Sequence, residues 1–157
     1  MNFWFDANKY SSIFTKNAIK KPELGKHWLA SWRDIEGLVH HDILYKAETN
    51  NQAEYGSMLM VLHHIRSWTD YMEHEDDHNI WLEEAIIYGD SQLVINQMTG
   101  KYKVKEEDLK NLWIEGISLV HVLKADFGID VKFRWVKRDI NNEALGLKGK
   151  IKDPGPE

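Results

Sequence analysis

Three carboxylates, Asp6, Glu54 and Asp90, each stand beside a boundary between predicted elements, where pieces of chain far apart in sequence can assemble a metal site. Asp6 closes the aromatic run Phe3-Trp4-Phe5. Glu54 lies in Thr49-Asn50-Asn51-Gln52-Ala53-Glu54-Tyr55, and Asp90 follows Ile87-Tyr88-Gly89 and precedes Ser91. Magnesium takes hard oxygen ligands and keeps several waters, so a few carboxylates suffice to hold it. Two such ions about 3.5–4 Å apart activate a water and neutralise the leaving oxygen of a phosphodiester. Each acid also has a plainer reading. Glu54 could complement a helix dipole behind a Thr49-x-x-Gln52 capping box, Asp90 could be an N-cap, and Asp6 could end an edge strand.

The elements that must position these acids are legible in the hydrophobic pattern. Phe3 to Asp6 is predicted as a strand, and residues 7–26, broken by Pro22 and Gly25, as a long connection. His27 to Arg33 and Leu38 to Tyr45 predict two further strands joined by a turn at Asp34-Ile35-Glu36-Gly37, an antiparallel meander. Met58, Val61, Leu62 and Ile65 trace one stripe of a helix beginning near Asn51. Trp68 to Glu83 reads as an acidic connector, and Ala85 to Tyr88 as a buried, parallel strand. Leu93, Val94 and Met98 mark a short helix that Gly100 ends, followed by a longer one from Leu109 to Leu123. Val131, Phe133 and Trp135 alternate with Lys132 and Arg134 in a strand, with Trp113 and Trp135 expected in the core. A last helix is expected over Asn141 to Lys148. The order is that of an α/β domain with a mixed sheet, and no internal repeat contradicts it.

Composition bounds the function. A chain of 157 residues, 43% hydrophobic, buries one core, so a single domain over residues 1–150 with a short tail, 151–157, is the expectation. There is no cysteine, which excludes disulfides and thiolate zinc sites. No run approaches the ~18 apolar residues of a membrane span, and Met1 to Asp6 carries no basic segment or long apolar run. A cytoplasmic protein without a membrane partner, acting as a monomer, is expected. The net charge of −5 is uneven: Glu73 to Glu84 holds six acids and no Lys or Arg, whereas Lys132 to Lys152 holds seven bases against Asp139 and Glu143. A phosphate-facing surface is available in the second stretch.

With Thr49-Asn50-Asn51 before Glu54 and Asp90-Ser91 in the same order, the three acids resemble the metal-binding positions of the ribonuclease H family, type 1, from Asp6 to about Lys148. The resemblance implies a five-stranded mixed sheet flanked by helices on both faces. It implies Mg²⁺-dependent endonucleolytic cleavage of the RNA strand of an RNA/DNA hybrid, leaving 3′-hydroxyl and 5′-phosphate ends, with two ions bound alongside substrate and Mn²⁺ as an alternative. In the family the acid matching Asp6 bridges both ions, and those matching Glu54 and Asp90 hold the ion at the leaving group. Asn50 and Asn51 match minor-groove amides, Thr49 matches a phosphate-contacting hydroxyl, and Ser91 adjoins the third acid. Lys101, Lys103 and Lys105 resemble a basic segment facing the nucleic-acid backbone, although a solvated loop explains them equally well.

Two positions depart from the pattern. Ala47 stands where some members have a phosphate-binding Arg. The closing motif V-x-R-x-x-N-x-x-A-D reads Val136-Lys137-Arg138-Asp139-Ile140-Asn141-Asn142-Glu143-Ala144-Leu145, so a leucine occupies the fourth metal-binding position. Either three acids suffice with water and substrate phosphate, or Asp139, Glu143 or Asp153 reaches in, or the protein binds hybrids without cutting them. Other candidates are weaker. His74-Glu75-Asp76-Asp77-His78 matches a zinc pattern only formally, and His40-His41 and His63-His64 read as a surface strand and a helix flank.

Overall fold

Strand β1 (Asn2–Lys9) runs past the acid expected to end it, because its alternation continues: Phe3, Phe5 and Ala7 are buried on one face. In this computed structural model the described residues are 1–10, 27–73 and 82–147. Strands β2 (Trp28–Arg33) and β3 (Val39–Leu44) complete the antiparallel meander, with Asp6 opposite Ser31 and Trp32 opposite His40. Strand β4 (Glu84–Gly89) lies parallel to β1, and β5 (Asp130–Trp135) parallel to β4. The sheet order is β3-β2-β1-β4-β5, which makes β1 a central strand.

Helix α1 (Asn50–Glu73) buries Met58, Val61, Leu62 and Ile65, the stripe read from the sequence. It also runs into the stretch expected to be a connector, covering its first residues, Trp68 to Glu73. No Gly or Pro occurs between Gly56 and Gly89, so nothing stops the helix where its core contacts end, and the turn from Trp68 to Glu73 continues in solvent. Helix α2 (Gln92–Met98) is followed by Gly100 with φ 82°, and α3 (Glu107–Phe127) extends the longer helix at both ends. Helix α4 (Arg138–Ala144) begins earlier than expected and ends before Lys148.

One apolar cluster joins Phe3, Phe5, Ile87 and Phe133 of the sheet to α1, α2 and α3. Helices α1 and α3 approach closely at Gly116, where a Cβ would stand 2.9 Å from the Met98 Cε and 3.2 Å from that of Met58. Trp113 is half-buried and donates to the Gln97 carbonyl, but Trp135 is 43% exposed. Trp135 is the last residue of an edge strand and lies opposite Gly89, which offers its ring nothing to pack on. The strand Ala85 to Tyr88 is fully buried on one face only; Ile86 and Tyr88 are half-buried, and Tyr88 stacks on Trp4. No helix among the described residues is long and apolar enough to cross a membrane. The His74–His78 pattern, the 151–157 tail and Asp153 lie outside the described residues.

Candidate metal centre

The end of β4 creates the site. Successive residues of a strand send their N–H and C=O groups to opposite neighbours, so alternate residues share a side. The Met1 carbonyl accepts from Ile86 N, which sets Met1, Phe3, Phe5 and Ala7 towards β4. Strand β4 stops at Gly89, leaving the Phe5 carbonyl and the Ala7 N–H without a strand partner. Side chains take both: Glu54 Oε1 accepts from Ala7 N at 2.9 Å, and Asn141 Nδ2 donates to Phe5 O at 2.9 Å. The parallel register pairs Trp4 with Tyr88; carried two residues further it sets Asp6 beside Asp90.

Gly89 is required for this convergence. A Cβ there would lie 2.4 Å from the Phe5 ring, and Phe5 is fully buried. Gly89→Ala should therefore destabilise the fold by about 2–3 kcal/mol through overpacking. Urea melting checks it; a loss under about 0.5 kcal/mol would show that the ring moves aside freely.

Asp6, Glu54 and Asp90 offer carboxylate oxygens all within 4.8 Å of one another. Asp6 and Glu54 are 5% and 3% exposed. Asp6 Oδ2 accepts from Asn8 Nδ2, whereas Glu54 Oε2 and Asp90 Oδ2 are buried without a hydrogen-bond partner in the protein. The Arg138 guanidinium stands 3.6 Å from Asp90 Oδ2, but its side chain is 80% exposed and offsets little of the acid's charge. Burial, then the charges of Asp6 and Asp90, push the Glu54 carboxyl well above its usual range. Burial, then Asp6, raise Asp90 to about 6, with Arg138 opposing. Three carboxylates this close, two of them with an unpartnered oxygen, need a proton or a cation between them. The donor set is all hard oxygen, which fits Mg²⁺ or Mn²⁺ and not a thiolate or imidazole metal.

The raised carboxyls set a pH dependence. The folded, metal-free protein holds a proton on Asp90 that the unfolded chain has released, so the stabilisation is complete below the ordinary carboxylate range. It is lost as pH rises through about 6,. Metal binding would run the other way, because an ion would displace the proton. In EDTA the melting temperature of the unmutated protein should fall relative to that of Asp90→Asn between pH 5 and 7. Parallel curves would show that Asp90 is not perturbed.

The plainer readings separate residue by residue. Glu54 does not serve its own helix, since its carboxylate reaches across to β1. The cap of α1 is Thr49, whose hydroxyl accepts from Gln52 N at 3.2 Å, while Gln52 Oε1 accepts from Glu48 N at 2.7 Å. The cap of α2 is Ser91, whose Oγ accepts from Val94 N, leaving Asp90 free to face the other acids. Asn50 and Asn51 are exposed in the first turn of α1, one turn before Glu54. Lys101, Lys103 and Lys105 are exposed along a shallow cleft with Leu93, Gln97 and Glu106, on the segment after α2. The histidine pairs serve other partners: His40 binds Asp34, His63 binds Glu115, and His64 Nε2 accepts from Ile35 N. No further acid joins the cluster among the described residues. Leu145 is 1% exposed.

Four contributors carried no assigned role in the sequence reading: Asn8, Gly89, Arg138 and Asn141. The last two belong to the closing motif and were visible there; Asn8 follows from the two-residue period of β1 once that strand runs past Asp6,, and Gly89 is recognisable only once β1 and β4 are paired.

No family model matches the chain. It is 30% identical over 105 residues to the bifunctional protein Rv2228c of Mycobacterium tuberculosis, an alignment covering 67% of this chain and 24% of that protein. An uncharacterised Mycobacterium bovis protein, Mb2253c, matches to the same extent. The chain thus spans about a quarter of the length of these curated relatives. Among solved structures, RNase H1 from the archaeon Halobacterium salinarum superposes with a TM-score of 0.60 at 23% identity, covering 92% of each chain. LC11-RNase H1 in complex with an RNA/DNA hybrid gives 0.60 at 22% identity over 93% of this chain and 91% of its own. The N-terminal RNase H domain of Rv2228c gives 0.57 at 22%, over 93% and 89%.

Proposed function

From the ribonuclease H fold that this chain has, we propose that it is a divalent-cation-dependent endonuclease hydrolysing the RNA strand of RNA/DNA hybrids. The observation that carries this is the meeting of Asp6, Glu54 and Asp90 within 4.8 Å, with oxygens on Glu54 and Asp90 left unpartnered. Mg²⁺ or Mn²⁺ bound there would polarise the phosphate and activate a water. The protein's part is to hold the carboxylates at fixed positions on two strand ends and a helix. Ala7 N fixes the orientation of Glu54, Asn8 fixes that of Asp6, and Gly89 lets β4 close on β1. Arg138, exposed beside Asp90, would supply positive charge for a phosphate backbone, and Arg134 and Lys137, close to it in sequence, are exposed as well,.

Asn50 and Asn51 stand one helical turn before Glu54, exposed and close to where a scissile phosphate would sit. Side-chain amides there discriminate by contacts that a DNA strand lacking the 2′-hydroxyl cannot satisfy. Hybrid should be cut in preference to duplex DNA, and the double substitution Asn50→Ala, Asn51→Ala should erode that preference while leaving the melting temperature within about 2 °C, as expected for exposed positions. Equal cleavage of the two duplexes by the unmutated protein removes the claim.

A second reading, a hybrid-binding module with weak or no turnover, is favoured by one observation: Leu145 supplies no carboxylate. Gel-shift and cleavage assays on one labelled hybrid separate the two, because a binder retains affinity without producing fragments.

A further inference from the structure

Asn141 is fully buried in α4, and its Nδ2 donates to the Phe5 carbonyl at 2.9 Å. A carbonyl can only accept, so this contact settles which way the amide points and turns Oδ1 away from Phe5. That oxygen is buried and has no donor in the protein. Buried side-chain atoms in this condition are few: among the described residues they are Trp28 Nε1, Glu54 Oε2, Asp90 Oδ2 and Asn141 Oδ1. Three of these four are acceptors: one is on Asp90, just past β4, and the other two are on side chains hydrogen-bonded to the β1 backbone at Phe5 and Ala7.

Their placement is common. The Phe5 carbonyl and Ala7 N–H lie on the same side of β1, with Asp6 between them; Asn141 takes the first and Glu54 the second. One turn before Asn141 on the same face of α4, Arg138 stands 3.6 Å from Asp90. The amide therefore arrives at the strand edge where the three acids meet. Leaving a buried acceptor unpaired costs about 1–3 kcal/mol, and acceptors cannot satisfy one another without a proton or a cation between them.

We infer that Asn141 is a fourth oxygen of the metal centre. Its Oδ1 takes a hydrated divalent cation, directly or through one of the cation's waters, on the α4 side, where Leu145 provides no carboxylate. The inference rests on the metal site proposed above and adds a ligand to it. A neutral amide binds such a cation more weakly than a carboxylate does, so the site keeps an oxygen at lower affinity.

Mn²⁺ binding by isothermal titration of the metal-free protein tests this without reference to cleavage. Asn141→Ala should weaken Mn²⁺ binding about tenfold. Asn141→Asp keeps an oxygen but loses the donor to Phe5 O, and should bind Mn²⁺ at least as tightly as the unmutated protein. A residue that only docks α4 on β1 predicts the opposite, with Asp as weak as Ala, and that result overturns the inference. Should either variant fail to fold, the unmutated protein decides: saturating Mg²⁺ should shift the Asn141 ¹³Cγ resonance, and an unmoved resonance rejects the assignment. If the unmutated protein binds no Mn²⁺, the metal site itself fails; if it binds while Asn141 proves indifferent, only the fourth oxygen does.

Discussion

Asp90→Asn should cut the RNA strand of a labelled RNA/DNA hybrid at least about a hundredfold more slowly than the unmutated protein, in Mg²⁺ or Mn²⁺. The substitution removes one charge and keeps the shape. Asp90 is held in place by its backbone as much as by its side chain: its carbonyl accepts from Trp135 Nε1, and the next residue caps α2. The fold therefore survives. It should even gain, because at neutral pH the metal-free site crowds three acids within 4.8 Å and Asp90 is charged only above about 6. The expected signature is a melting temperature in EDTA equal to or above that of the unmutated protein, together with a collapsed rate. A wild-type rate in Asp90→Asn would remove this site assignment; a lowered melting temperature would mean that the loss reflects unfolding.

Leu145→Asp carries the second large effect, and burial changes what it should do. From its place in the motif alone the substitution would restore a carboxylate at modest structural cost. The leucine is 1% exposed, so an aspartate there should destabilise the metal-free fold by about 3–5 kcal/mol, from lost packing and a desolvated charge. Leu145 is nevertheless absent from the apolar cluster that joins the sheet to α1, α2 and α3. Arg138 and Asn141 lie on one stripe of α4, and Leu145, the residue that caps its C-terminus, follows at helical spacing,; the first two face Asp90 and Phe5. An acid added there should join the cluster. Mn²⁺ should consequently recover a large part of the lost stability, about 2.7 kcal/mol at a hundredfold excess over the dissociation constant. The metal concentration for half-maximal cleavage should fall below that of the unmutated protein, which should itself favour Mn²⁺ or high metal. Destabilisation that metal leaves unchanged would show that position 145 faces away from the acids.

Much of this was legible in the residues. Periodicity located β2, β3, β4 and α2 to within a residue or two, because each is bounded by a turn, a Gly or a change of period. It failed at the end of α1, where nothing between Trp68 and Glu73 breaks a helix, and at Trp135, where alternation predicted burial but the sheet edge provides no neighbour. The three acids were identifiable because they combine with Thr49-Asn50-Asn51 and Asp90-Ser91 in a fixed order. The capping box read at Thr49 and Gln52 is present, and the cap role read for Asp90 belongs to its neighbour Ser91. What sequence could not show was the backbone left over where β4 stops, since that depends on the register of β1 against β4. Glu54 and Asn141 are held by those two leftover groups.

Metal-dependent cutting by the unmutated chain is the central expectation. A hybrid labelled at the 5′ end of its RNA strand, incubated with the protein and Mn²⁺ over a range of concentrations, should yield RNA fragments bearing 3′-hydroxyl ends. None should form in EDTA, and the DNA strand should stay intact. A protein that shifts the hybrid in a gel at every metal concentration and releases no fragment would contradict the account and leave a binding module in its place.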